Sequence, residues 1–307
     1  IPVINVENAC ASASTAFNQA SAMVSSGCYD VVLALGVEKL YHEDKRKSFA
    51  AFSGAVDVEA LVEIKAKLAA QAAAKGADKA ASGAGEKRSM FMDIYAASAR
   101  AYMEKYGATA EDLAGVSAKN SFHGSMNPRA QFMDVMTVEE VLAAPMIAEP
   151  LTRPMCSPIG DGAAAVVMVS ERKARELGIQ NPVRVRSSVL RSGWDRAKGE
   201  ETVAQVCARE VYEEAGLGAE DLSVIELHDA SAPAEITTYE SIGLCGKGQG
   251  SELIRDGSTR LGGRLPVNTS GGLLRKGHPV GAPGIAQIVA LTEQLQGRSG
   301  KRQVEGA

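Results

Sequence analysis

The sequence predicts an α/β fold of two similar halves, and three observations carry that expectation. A strand, a small-residue helix and a second strand follow one another at 1–6, roughly 9–26 and 31–36. Strands and helices alternate again from Pro182 onward, and the halves share a strand-to-helix junction of similar composition. Apolar strands alternating with helices build parallel sheets covered on both faces.

Each element follows from local pattern. The first strand is Ile1-Pro2-Val3-Ile4-Asn5-Val6, and the helix after it carries Ala9, Ala11, Ser12, Ala13, Ser14, Ala16, Ala20, Ser21 and Ala22, small on every face, up to a glycine stop at Gly27. Such a helix can be approached from all sides, which predicts a central position. Residues 41–155 change character: an Ala/Lys-rich helix from Ile64 to Lys87, a helix from Phe91 to Tyr106, and a loop-like Asn120 to Phe132. Regular strand pattern resumes at 163–169. The second half reads as strand 183–189, helix 200–215, strand 223–227, helix 233–242, strand 264–268 and helix 281–296. Val6-Glu7-Asn8-Ala9-Cys10 and Val267-Asn268-Thr269-Ser270-Gly271-Gly272 both lead a strand toward a small-residue helix, so the two central helices are expected side by side. The opening Ile1 and a strand just beginning at Arg302 to Ala307 predict a piece of a longer protein, cut at both ends.

Composition removes several classes of function. The 307 residues are 45% hydrophobic and 23% charged, which suits a folded chain rather than disorder. Lys plus Arg number 33 against 37 Asp plus Glu, a net charge of −4 with no basic stripe, and this argues against a nucleic-acid surface. Apolar runs such as Ala163 to Val169 fall far short of the ~20 residues that cross a bilayer. Five scattered cysteines without a CxxC pair fit neither a disulfide framework nor a structural zinc site, and point to a reducing compartment.

The chemistry candidates sit at strand ends. Cys10 falls at a strand-to-helix junction, where helix N–H groups favour a thiolate, so it is either a nucleophile or a buried structural cysteine. Cys28, Cys156, Cys207 and Cys245 lack that context and read as structural. His228 follows the strand Ser223 to Leu227 at its carboxyl end, where open sheets bind ligands, and His278 lies in Gly277-His278-Pro279 after several glycines. His42 and His123 read as surface or loop residues. Gly246-Lys247-Gly248-Gln249-Gly250 matches neither a dinucleotide fingerprint nor a P-loop, and neither metal-binding histidine pairs nor a Gly-x-Ser-x-Gly elbow occur.

Four separated motifs carry a family resemblance: Asn5 to Ser14 with Cys10, Pro150 to Cys156 running on to Asp161-Gly162-Ala163-Ala164-Ala165, His228-Asp229-Ala230, and Asn268 to Gly284 with Gly277-His278-Pro279. In this order they resemble the thiolase superfamily, and most closely its sterol carrier protein x and bacterial lipid-transfer-protein branch. The resemblance implies a five-layered α-β-α-β-α fold. Residues 1–40 with 156–181 would form an incomplete N-terminal half, 41–155 an inserted loop or lid domain, and 182–307 an incomplete C-terminal half.

It further implies a thiolase-type C-acyltransferase working on coenzyme A thioesters through an acyl-cysteine. Cys10 would be the nucleophile, His278 its activator and an oxyanion donor, His228 a second donor, and Gly277, Ser270 and Gly271 substrate contacts, with no cofactor and no metal. A homodimer, with a hot-dog-type or DUF35-type partner subunit, and a cytoplasmic location (peroxisomal in a eukaryote) follow from the same resemblance. One departure matters: the sterol carrier branch has an acid/base cysteine where this chain has Ala230, followed by Ser231 where an aromatic is usual. This leaves the α-carbon base open. An aldolase-like or other condensing enzyme acting on steroid-like acyl-CoA, and a non-catalytic acyl-CoA or lipid-binding subunit, are the alternatives. Retention of Cys10 favours acyl transfer, because neither alternative needs an acceptor thiol.

Overall fold

A 3-10 turn at Ala9–Ala11 opens directly into α1 (Ser12–Ser25), and β1 (Val31–Glu38) follows. The computed structural model describes residues 2–55, 57, 62, 63, 66, 70, 88–197 and 199–307. The Ala/Lys-rich helix expected from Ile64 to Lys87 lies almost wholly outside the described residues. After β1 come α2 (Lys45–Ala51), α3 (Met90–Tyr106), α4 (Ala110–Ser125) and α5 (Val138–Ala143). The short β2 (Met146–Ala148) and β3 (Leu151–Thr152) lead to β4 (Gly162–Val169) and α6 (Glu171–Glu176). The later helices are α7 (Val203–Ala215), α8 (Ala232–Ser241), α9 (Glu252–Arg255), α10 (Gly272–Lys276) and α11 (Pro283–Leu295).

Local signals place the helix ends. Thr109 with Asp112, Thr137 with Glu140 and Thr202 with Gln205 form reciprocal capping boxes, each satisfying two otherwise free N–H groups at the starts of α4, α5 and α7. α3 and α7 stop at Gly107 and Gly216, both left-handed.

The strand pattern differs from expectation. Residues 2–6 make no ladder, and β1 pairs instead with β4, antiparallel, from Val31 opposite Val169 to Glu38 opposite Gly162. One face of this pair packs on α1 and α11 through Ala13, Phe17, Ala20, Ala34 and Ile285. The other exposes Val31, Leu33, Leu35 and Val37, so the expectation of parallel strands covered on both faces does not hold among the described residues. Residues 183–189 form no strand, and 223–227 and 264–268 meet only in a parallel bridge between Ile225 and Val267. Arg302 to Ala307 are likewise turn rather than strand.

The central helices do lie against one another. A Cβ at Gly284 of α11 would sit 2.1 Å from Ser14 Oγ of α1, so the absence of a side chain is what permits the approach. A larger core joins α3, α4 and α8 through Ala99, Tyr102, Leu113, Val116 and Ile236, with Leu151, Met155 and Leu274 beside them. α4 corrects the loop expected at Asn120 to Phe132, for it is helical through Ser125. Its polar residues Lys119, Asn120 and His123 are buried, each bonded to a distant segment.

Candidate active site

The residue before Cys10 has an unusual backbone. Ala9 sits at φ 46°, a region that costs a non-glycine residue about 1–3 kcal/mol. A knot of short bonds holds it there: Ala9 N–H donates to Glu7 Oε1 at 2.7 Å, Ser12 Oγ donates to the Ala9 carbonyl at 2.8 Å, and Asn8 N–H donates to Ser12 Oγ at 2.8 Å. Cys10 is thereby presented on a sharp turn at the start of α1.

His228 and His278 arrive from the other half. Ile225 N–H donates to the Pro266 carbonyl and Asn268 N–H to the Ile225 carbonyl, tying the segment that carries His228 to the one that leads into α10. His278 follows α10. Its N–H donates to the Pro158 carbonyl at 2.9 Å, and its Nδ1 lies 3.2 Å from Ser157 Oγ. The two imidazoles meet edge to face with centroids 4.9 Å apart, and the Cys10 sulfur and one nitrogen of each ring all lie within 4.8 Å of one another. His278 Nε2 is buried without a hydrogen-bond partner among the described residues. These three side chains are also the one cluster of soft-metal donor types among the described residues.

Electrostatics partly overturns the sequence reading of Cys10. Helix N–H groups were expected to depress its pKa. Burial, followed by the Glu38 and Glu7 carboxylates, raises it, against the opposing pull of its own backbone N–H. Burial also pushes His278 down to about 3, with His228 adding to the effect, and His228 down to about 4, helped by the Lys276 charge. At neutral pH the trio therefore rests as a thiol and two neutral imidazoles, and a base must take the thiol proton as the sulfur attacks.

Of the residues expected to touch substrate, Ser270 and Gly277 line a cavity of about 390 Å³ together with Asn127, Gln131 and Lys276. The Ser270 hydroxyl donates to Glu226, and its N–H also reaches Glu226, at 2.8 Å. Gly271, at φ 96°, packs so closely that a Cβ would lie 2.7 Å from Gly124 Cα. The other cysteines are free, and burial lifts Cys156 to about 12 and Cys245, with Glu240 and Glu252 adding, to about 11. His42 is exposed, as expected.

Sequence reasoning missed three groups. His123, taken for a surface or loop residue, is fully buried: Nδ1 lies 3.0 Å from the Asn268 carbonyl and Nε2 accepts from Leu261 N–H at 2.9 Å. Ser157 lay inside a quoted motif, but only the fold brings it to His278. Behind the histidines, Lys119, Asn120, Asp229, Glu235, Tyr239 and Asn268 form a buried polar network in which Lys119 pairs with Glu235. Asp229, next to His228, and Asn268, at the head of the glycine-rich motif, carried signal in the sequence.

Residues 1–172 match the family model of the thiolase N-terminal domain, and 194–307 match that of the thiolase C-terminal domain-like family. The chain is 38% identical over 310 residues to the benzoylsuccinyl-CoA thiolase subunit BbsB of Thauera aromatica, covering 99% of this chain and 74% of that one. It is 39% identical over 312 residues to an acetyl-CoA acetyltransferase of Methanothermobacter thermautotrophicus, covering 100% and 75%. Human sterol carrier protein 2 is 36% identical over 318 residues, and the chain spans 55% of its length. Among solved structures, the Ltp2-ChsH2(DUF35) aldolase aligns with TM-score 0.71 and 26% identity over 95% of this chain and 72% of that one. The dimeric peroxisomal thiolase of Saccharomyces cerevisiae aligns with TM-score 0.57 and 17% identity over 93% and 68%, a likeness of fold. With both halves matched in order by thiolase family models, and a thiolase subunit and an acetyl-CoA acetyltransferase 38% and 39% identical along nearly its whole length, the chain belongs to the thiolase family of acyltransferases.

Proposed function

We propose that the chain transfers acyl groups between coenzyme A thioesters through an acyl-Cys10 intermediate. The observation that carries this reading is the convergence of Cys10, His228 and His278 within 4.8 Å, with His278 Nε2 buried and without a hydrogen-bond partner among the described residues. In the thiolysis direction the Cys10 thiol adds to the 3-keto carbonyl of the substrate and its proton passes to His278 Nε2. Donation of the Nδ1 hydrogen to Ser157 Oγ would leave Nε2 free for that task. The bond between C2 and C3 then breaks, leaving the acyl group on sulfur and an enolate of the departing thioester that takes up a proton. Coenzyme A thiol finally removes the acyl group from Cys10. His228 faces the same space and is assigned as an oxyanion donor. Ala230 offers no acid or base, so the α-carbon proton falls to the two imidazoles, both neutral at pH 7.

The roles of 41–155 as a lid, and of Ser270, Gly271 and Gly277 as substrate contacts, belong to the same proposal. Its support is that this insert rests on the glycine-rich segment: Asn127 donates to the Ser270 carbonyl at 2.8 Å and Phe132 N–H to the Arg275 carbonyl at 3.1 Å. Assembly as a homodimer with a DUF35-type subunit is supported by one neighbour described as dimeric and another described with a DUF35 component. No helix among the described residues is long and apolar enough to cross a membrane.

The test is mass spectrometry of the full chain after brief exposure to an acyl-CoA. An acyl adduct on Cys10 that disappears in His278→Ala is the expected result. Turnover of acyl-CoA with no adduct on Cys10 would move the reading to the aldolase-like alternative.

A further inference from the structure

We infer that Asp229 is the positioning residue that sets the spacing of the two imidazoles, an inference that rests on the acyl-transfer reading above for its catalytic consequence. Asp229 is fully buried and follows His228 directly, so wherever its carboxylate is held the His228 backbone is held too. The carboxylate reaches across to α10. Oδ1 accepts from Leu273 N–H at 2.7 Å, and Oδ2 accepts from Leu274 N–H at 3.4 Å and from Asn120 Nδ2 at 2.9 Å.

Leu273 carries the connection onward. The residue whose N–H donates to Asp229 has a carbonyl that accepts the Gly277 N–H at 3.1 Å, and His278 is the next residue. A continuous path of three short steps thus runs from His228, through the Asp229 carboxylate and one turn of α10, to His278. The approach is close enough to dictate sequence: a Cβ at Gly272 would lie 2.1 Å from Asp229 Oδ2. On the opposite side of His228, Leu227 N–H donates to Asn268 Oδ1 at 2.9 Å, so the histidine sits between two clamps joining the same pair of segments.

The rest of the network holds the carboxylate in place. Asn120 Nδ2 donates both to Asp229 Oδ2 and to Glu235 Oε2, the latter at 2.8 Å, and Glu235 is neutralised by Lys119 while also accepting from Asn268 and Tyr239. Asp229 touches neither of the reacting groups. Its effect is to keep two bases, delivered by different segments, at the separation that a single substrate requires, where a misplacement of ~1 Å costs on the order of 10²-fold in rate.

Two readouts separate this role from a general loss of structure. In Asp229→Asn the side chain keeps its volume but presents N–H groups toward donors, so at least one bond to Leu273, Leu274 or Asn120 is lost. Alkylation of Cys10 by iodoacetamide, which needs the imidazole but no acyl-CoA, is expected to slow at least tenfold. The kcat for acyl transfer should fall by about 10²-fold with KM within a few-fold of the parent. Gly272→Ala, which keeps the carboxylate but pushes on it, should give the same split, and the double variant should be no slower than the worse single one because both break one contact. Should Asp229→Asn fail to fold, Gly272→Ala decides. Parent-like Cys10 alkylation in whichever variant is folded, or losses that simply multiply in the double variant, overturns the inference. A parent chain whose Cys10 is alkylated normally but never acylated would instead refute the acyl-transfer reading, with the alkylation rates still deciding the role of Asp229.

Discussion

His228 and His278 stand edge to face, their ring planes inclined by 77° and their centroids 4.9 Å apart, although one ends a strand-like segment and the other follows a helix. Both rings are held neutral by burial, so their closeness carries no repulsion at neutral pH, and both remain available as bases. The same burial makes the fold sensitive to acid.

Stability should fall as the pH drops below about 6.5, the ordinary histidine value. His278 and His123 titrate at about 3 and His228 at about 4 in the folded chain. Between those values and 6.5 the unfolded chain binds protons that the folded chain refuses, so their contribution is complete above 6.5 and is lost as pH falls through the window. Each histidine can remove up to about 1.4 kcal/mol per pH unit. Asp229, raised by burial and by Glu235, acts in the opposite sense, but it is one group against three. Urea midpoints at pH 7.5, 6 and 5 check this, with a steady fall expected. A flat or rising series would contradict the buried neutral imidazoles.

Gly284→Ala should loosen the contact between the two central helices. The added carbon would meet Ser14 Oγ at 2.1 Å and Ser14 N at 2.7 Å, and backbone cannot yield as a side-chain tip can. Overpacking of this kind costs about 1–3 kcal/mol. Because α1 begins beside Cys10 and α11 follows His278, acylation of Cys10 should slow in the same variant. Unchanged thermal stability would show that the helices do not abut at Ser14.

Lys119→Met should be among the most damaging single changes outside the Cys10, His228 and His278 cluster. The Lys119–Glu235 pair has side chains only 3% and 0% exposed, so removing the lysine strands a buried carboxylate at a cost of about 3–5 kcal/mol. Adding Glu235→Gln should recover part of that loss. Denaturation of the single and double variants measures both effects, and a double variant less stable than the single one would argue against a charge left stranded.

The signals that worked in the sequence are local. Helical pattern, small-residue composition and a glycine stop placed α1, α3, α7 and α11 to within a few residues, because periodicity belongs to the segment itself and a glycine acts at its own φ. Four short motifs in the right order were enough for the family. The strands were less legible. An apolar run states that it is buried but not which partner it pairs with, and β1 found β4, antiparallel, from more than a hundred residues away.

What only the tertiary structure decided is the environment of each group. Asn120-Ser121-Phe122-His123-Gly124-Ser125 reads as a loop because such residues bond to their own backbone when solvated; here Asn120 Nδ2 donates to Asp229 and Glu235, His123 Nδ1 meets the Asn268 carbonyl, and the segment is helical. Cys10 was legible as a residue at a helix start, yet its pKa moves upward, because desolvation and two carboxylates outweigh a helix end. The identities of Cys10, His228 and His278 are written in the chain. Their separation is set by hydrogen bonds between segments far apart in it, and no local pattern encodes a distance of that kind.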